Sequence, residues 1–257
     1  MKKVSLFLIL FVLGVVAIEA QETVTISGRV TDYDGNPIDS CWVGLDYTDF
    51  SAAYETHSDK DGYYSLKVKK GKYMAMYALR IKEYPRLDKV PDEDKRLEFW
   101  AWNVIADRDL TINPRYHRLE LYGTNAFKVE GGYNGLFIYT RPMSTGKLLT
   151  YSKEVLLDKA KAEREASISV SPEFFKVRVF IDDKEVKVNS VQPIQEYVGE
   201  NNPGMGAFII QTELPKEKTD RPYVIIRVVG ENTEYNEKGE NIFFYELKEY
   251  ERNPVKK

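Results

Sequence analysis

Two features of the 257-residue chain predict an all-β protein built as two tandem β-sandwiches. Short stretches in which apolar and polar residues alternate recur along most of its length, and clusters of Asp, Asn, Gly and Pro punctuate them at close spacing. Only residues 152–166 have the composition of a helix. The expected division is a leader at 1–20, a first sandwich at 21–113 and a second at 114–257.

The leader is read from Lys2-Lys3, the apolar run Val4 to Ile18 and the small residue Ala20, the order of a cleavable secretory signal. Its apolar body is about 15 residues, short of the roughly 20 that cross a bilayer as a helix, so no transmembrane span is expected after cleavage. Removing it takes away Lys2, Lys3 and Glu19, changing 37 basic and 40 acidic residues into 35 and 39, net charge -4. Both signs are interspersed without a long basic run, which disfavours a nucleic-acid partner. Cys41 is the single cysteine, so no intrachain disulfide can form, and its apolar neighbours on the strand predict a buried thiol.

In the first sandwich, Val24, Ile26, Gly28 and Val30 alternate with polar residues and predict a strand with one face on a core. Asp32-Tyr33-Asp34-Gly35-Asn36-Pro37 predicts the turn that follows. Cys41, Val43, Leu45 and Tyr47 share the next face. Asp59-Lys60-Asp61-Gly62 turns the chain into Tyr64, Leu66 and Val68, and Lys69-Lys70-Gly71 turns it again before Tyr73, Ala75, Tyr77 and Leu79. Residues 86–96, charged and broken by Pro91, read as an inserted surface loop. Beyond them, Trp100 and Trp102 share one face of a strand and Phe99 takes the other, so both faces need cover, one from a core and one from the second domain or a ligand. Leu110 to Ile112 completes the set, and Asn113-Pro114 marks the boundary.

The blocks Ile26-Ser27-Gly28-Arg29-Val30-x-Asp32-x-x-Gly35-x-Pro37-Ile38, Ser58-Asp59-Lys60-Asp61-Gly62-Tyr63-Tyr64-Ser65-Leu66 and Gly71-Lys72-Tyr73 resemble, in order and spacing, the carboxypeptidase regulatory-like domain, a transthyretin-like sandwich. The resemblance covers about a third of the chain. It implies a non-catalytic scaffold carried by envelope or secreted proteins. Gln21 as a new N-terminus is similar to many exported proteins of Gram-negative bacteria of the Bacteroidetes type.

The second half reads as an immunoglobulin-like sandwich from its pattern and strand count. His117, Leu119 and Leu121 predict a strand, Gly131-Gly132 a break, and Leu136 to Tyr139 a strand running to Arg141-Pro142. Ser152 is the expected cap of a helix to Ala166. Phe175, Val177, Val179 and Ile181 form a core face that turns at Asp182-Asp183-Lys184-Glu185 into Val186 and Val188. Ala207 to Leu214, Tyr223 to Val229 and Asn241 to Glu246 supply three more strands, the last two joined by a polar loop over 230–240.

His117 and Glu120 have the spacing of the zinc ligands of metallocarboxypeptidases, but residues three apart on a strand point to opposite faces and cannot share a metal. The enzyme domain of that family is also longer than the sequence left over. Asp32-x-Asp34 and Asp59-x-Asp61 resemble the start of calcium loops, yet the twelfth positions, Val43 and Lys70, cannot supply the bidentate carboxylate such a loop needs, and turn chemistry accounts for both. Gly204-Met205-Gly206 opens no predicted helix and reads as a loop. No cofactor or metal is expected. The resulting expectation is a non-catalytic exported binding or assembly protein in the periplasm or at the cell surface, whose partner is an envelope protein or a polysaccharide. The alternatives are an accessory carbohydrate- or peptide-binding subunit of an uptake system and, from another class, a hydrolase of zinc carboxypeptidase-like or carboxylate-based type. Trp100 and Trp102 are the candidate ligand contacts, against the default that aromatic rings fill a core.

Overall fold

The computed structural model describes residues 22–87, 89–200, 204–215 and 219–252; the leader expected at 1–20 lies outside them. Its first half contains β1 (Thr23–Arg29), β2 (Trp42–Asp46), β3 (Ala52–His57), β4 (Tyr63–Lys69), β5 (Gly71–Leu79), β6 (Phe99–Ala106) and β7 (Leu110–Thr111). The second half continues with β8 (Leu119–Phe127), β9 (Gly135–Ser144), α1 (Thr145–Leu148), α2 (Lys153–Leu157) and α3 (Lys159–Glu165). It ends with β10 (Phe175–Ile181), β11 (Lys184–Val186), β12 (Val188–Glu196), β13 (Met205–Glu213), β14 (Tyr223–Asn232), β15 (Glu237–Glu246) and α4 (Glu249–Arg252). No helix among the described residues is long and apolar enough to cross a membrane.

The fold is an all-β sandwich assembly. Three sheets form among the described residues, in the orders β4-β1-β7, β12-β13-β9-β8 and β11-β10-β14-β15-β6-β5-β2-β3. The eight-stranded sheet runs through both halves because β6 pairs in parallel with β15, Trp100 opposite Asn241 and Trp102 opposite Phe243.

Two cores flank this long sheet on opposite faces. Side chains alternate across a strand, so β15 turns Ile242 and Phe244 one way and Phe243 and Tyr245 the other. Ile242 and Phe244 join Ile26, Val43, Leu45, Met76, Phe99 and Tyr116 under the three-stranded sheet. Tyr245 joins Leu121, Ile138, Phe208, Val179 and Ile226 under the four-stranded sheet, with Phe243 packed against them. The covers are therefore staggered, one on each face, at opposite ends of the long sheet. Each end keeps one face without a covering sheet.

The two predicted turns close by the same chemistry. Asp32 Oδ1 accepts the N–H of Asp34 and of Asn36, both at 2.9 Å, and Asp59 Oδ1 accepts the N–H of Asp61 and of Tyr63, also at 2.9 Å. Gly35 and Gly62 take the left-handed φ of 85° and 84° that follow. Asp182 and Asp183, at φ 48° and 62°, make the tight reversal between β10 and β11.

Several local expectations change. Tyr47 is half-exposed, because β2 ends at Asp46 with an irregular register against β3. On β5 it is Met76 and Ala78 that enter the first core, while Ala75 and Tyr77 stand opposite Trp102 and Trp100 on the other face. The helix over 152–166 divides at Asp158, whose extended backbone ends α2 and whose Oδ1 accepts the Lys161 N–H to cap α3. The polar loop expected over 230–240 is mostly strand: β14 and β15 stay paired out to Asn232 and Glu237. His117 lies in a bend, and β8 begins at Leu119.

A candidate aromatic and acidic face

Period-two alternation places Glu98, Trp100 and Trp102 on one side of β6 and its lead-in, and Glu120 and Tyr122 on one side of β8. Pairing of β6 with β5 and of β5 with β2 brings Tyr77 opposite Trp100 and Gly44 opposite Tyr77. Gly44 is required there: a Cβ on it would meet the Tyr77 ring at 2.2 Å.

The rings form one run. Trp100 and Trp102 stack with centroids 5.0 Å apart and planes 12° apart. Tyr122 stands nearly perpendicular to both, at 6.0 and 5.5 Å. Tyr77 reaches Trp100 at 5.7 Å, and Trp42 meets Tyr77 edge-on at 5.3 Å. Trp42, Trp100, Trp102 and Tyr122 are part-buried. The two tryptophans thus share the face predicted for them, with Phe99 in the core behind. Their rings are turned to each other and do not lie flat.

Carboxyls border this run at both ends. Burial pushes the Glu98 carboxyl up to about 7, with the nearby Trp100 indole N–H pulling the other way. Glu120, 2% exposed, is held well above the ordinary carboxyl range by burial and then by the Glu98 charge, against the pull of Arg141 and of the Trp100 N–H. The indole lies near both carboxyls without completing a hydrogen bond to either: Trp100 Nε1, Trp102 Nε1, Glu98 Oε2, Glu120 Oε1 and Arg141 Nε are all buried without a partner among the described residues. Arg141 is positioned over the Tyr122 ring at 5.0 Å and donates to Glu196 Oε2 at 3.0 Å, while Tyr139 Oη also donates to Glu196. At the other end, burial and then Glu55 raise Asp46 to about 6, and Tyr77 Oη donates to Glu55 at 3.3 Å.

Among these groups the sequence pointed to Trp100 and Trp102 alone. Glu98 shares their period-two register and was readable as a neighbour. Glu120 and Tyr122 arrive from another sheet, which no local spacing signals.

The other candidates lie elsewhere. His117 is kept below its usual value by burial, then by Arg96 and Arg118. Glu120 instead interacts with Glu98 and Arg141. Asp32 and Asp59 are occupied in their turns. Cys41 is fully buried, 3.6 Å from Tyr116 Oη, and burial pushes its thiol up to about 12. Among the described residues no cluster of three or more His, Cys, Asp or Glu is placed to hold a metal ion.

No protein-family model matches the chain, and no curated protein matches it. Solved structures with a distant likeness include the major pilin subunit BcpA of Bacillus cereus, at 10% identity and a TM-score of 0.26 over 87% of this chain and 69% of that one. A DUF3823 family protein from Parabacteroides merdae aligns at 11% identity and a TM-score of 0.25, over 88% and 98% of the two chains. The full-length major pilin SpaD of Corynebacterium diphtheriae aligns at 8% identity and a TM-score of 0.24, over 88% and 65%. Likeness at this level assigns neither a family nor a function to the chain.

Proposed function

We propose that the chain is an exported, non-catalytic binding or assembly module of a bacterial envelope, working in the periplasm or at the cell surface. The observation that carries this is the stagger of the layers: the four-stranded sheet reaches the Trp42–Tyr77–Trp100–Trp102 run only with its edge strand β8, through Tyr122, and the Trp42–Tyr77 end of the run lies on a face that neither smaller sheet covers. Aromatic side chains with part-exposed surface and a neighbouring polar rim are what protein interfaces concentrate at their centres. A partner protein suits the upright, mutually stacked rings better than a sugar ring, which needs a flat aromatic face laid open to it. The carboxypeptidase regulatory-like resemblance of Ile26–Tyr73 and the secretory pattern of Met1–Ala20 agree with a scaffold outside the cytoplasm.

The test is affinity capture from the native envelope with the mature chain as bait, compared with Trp100→Ala and Trp42→Ala. A specific envelope protein recovered by the parent, and reduced at least tenfold by either variant while both keep the parent's circular dichroism, is the expected result. Recovery unchanged by both substitutions would remove this face from the function. Turnover of a peptide or glycan by the purified chain, abolished by Glu98→Gln, would replace the binding reading with an enzymatic one.

A further inference from the structure

The opposite uncovered face of the long sheet has different chemistry. Register places Lys176, Arg178 and Phe180 of β10 beside Glu231, Val229 and Arg227 of β14, which in turn stand beside Lys238, Glu240 and Ile242 of β15. Two cavities, of about 610 and 500 Å³, lie along this surface and share Arg115 and Arg227. One wall is Thr111–Arg115, at the margin of the three-stranded sheet, and another is the β10–β11 turn at Asp182 and Asp183.

The basic groups here are built in. Glu240 is 4% exposed and accepts from Arg115 Nη2 at 2.6 Å, with an Arg227 nitrogen 3.8 Å away. Arg227 and Arg178 both stack on the Phe180 ring, at 4.3 and 5.0 Å, and Arg115 lies over Tyr33 at 5.3 Å. Arg178 also forks onto Glu185, at 2.9 and 2.5 Å, and Arg227 lies 3.9 Å from Asp183, so the three guanidinium planes are held by carboxylates and two aromatic rings and little side-chain freedom remains to be lost on binding. Lys176 and Lys238 are exposed, flank Glu231 across the ladder, and have no ion-pair partner among the described residues. In a chain of net charge -3, the smaller cavity is lined by five cationic side chains and one carboxylate.

We propose that this groove binds an acidic polysaccharide through the carboxylates of its uronic acid residues. A guanidinium fork matches a carboxylate with two parallel hydrogen bonds. Arg178 and Arg115 already direct such donors to Glu185 and Glu240, whereas Arg227 stands 3.8 Å from its nearest carboxylate oxygen and offers its fork beside the point charges of Lys176 and Lys238. The exposed carboxylate of Asp183 and that of Glu231 beside them are acceptors for vicinal hydroxyls, which a uronate carries next to its charge and a phosphodiester lacks. Two cavities in line accommodate a chain better than a single small anion. The inference rests on the binding reading given above but uses the face remote from Trp100 and Trp102.

The experiment titrates the mature full-length chain with polygalacturonate, heparin, dextran and poly-L-glutamate at low and moderate salt. Defined polymers make its outcome independent of whether any envelope partner is captured. Polygalacturonate should bind, weakening as salt rises, and dextran should not. The double variant K176Q/K238Q, at exposed positions, should lose roughly tenfold in affinity. Arg227→Lys keeps the charge but loses the fork and should weaken binding comparably, whereas Lys60→Gln, at an exposed lysine that lines neither cavity, should leave it unchanged. Absence of polygalacturonate binding overturns the proposal, as does binding indifferent to both K176Q/K238Q and Arg227→Lys. Heparin binding without polygalacturonate binding overturns the carboxylate assignment, and poly-L-glutamate binding as tight as polygalacturonate overturns the glycan one.

Discussion

Glu98 holds its proton more tightly in the folded chain than in water, releasing it near 7 instead of 4.5 because burial penalises the charged form. Between those values the folded state binds more protons than the unfolded one, so stability declines as pH rises through that window and levels off above it. The effect reaches at most about 3 kcal/mol for a shift of this size. Asp46 acts in the same direction between 3.8 and about 6. His117 acts in the opposite one, since its folded pKa is lowered and the unfolded imidazole takes up the proton first as pH falls. Glu120, Glu237 and Glu240, also raised by burial, act in the same direction as Glu98, so we expect the melting temperature to fall by several degrees from pH 5 to pH 8 and Glu98→Gln to make that slope measurably shallower. Calorimetry across the range is the check; a slope unchanged in Glu98→Gln would mean that other groups set it.

Among the elements, β15 is the most constrained. It pairs with β14 on one side and β6 on the other, and β8 passes close over its start. A Cβ built on Gly239 would lie 2.1 Å from the Leu119 carbonyl oxygen, a backbone atom that cannot step aside alone. Gly239→Ala should therefore destabilise the chain by more than about 2 kcal/mol, among the larger single-site effects. Gly71→Ala is the control: nothing lies within 4 Å of its added carbon and its φ is not positive, so a change within about 0.5 kcal/mol is expected. Urea titration of the two variants separates the close crossing from the general cost of replacing glycine in a strand.

For the molecule as a whole, the decisive fact is that the cores share a sheet. Tyr223, Ile242 and Phe244, all from the C-terminal half, pack in the first core, and Tyr116 lies there beyond the expected boundary at Asn113-Pro114. Unfolding either half would strip β6 or β15 of its partner. We predict one cooperative transition, monitored for the first half by tryptophan fluorescence, since Trp42, Trp100 and Trp102 all belong to it, and for the second by hydrogen exchange in β9 and β13. Phe244→Ala, at a fully buried position, should cost about 3–5 kcal/mol and shift both signals together. Two separated transitions, with only the first responding, would establish the halves as independent units.

The sequence alone determined what depends on neighbours a few residues apart. Alternation at Val24–Val30, Tyr64–Val68 and Phe175–Ile181 marked strands, because a period of two needs only one covered face. Asp and Gly at Asp32–Gly35 and Asp59–Gly62 marked turns, because their hydrogen bonds close within four residues. Trp100 and Trp102 on one face and Phe99 on the other followed from the same rule. Only the tertiary structure decided what meets those faces. The β6–β15 pairing joins residues about 140 positions apart in the chain, and no local pattern encodes which strand becomes a neighbour. The register of β5 against β6 sets Tyr77 with the tryptophans and Met76 in the core, where alternation by itself allowed either face, and the β6–β15 pairing extends the sheet beyond them. That pairing also gathered Glu98 with Glu120 and Arg115 with Arg227 and Glu240, because a charge's surroundings depend on which distant strands desolvate it.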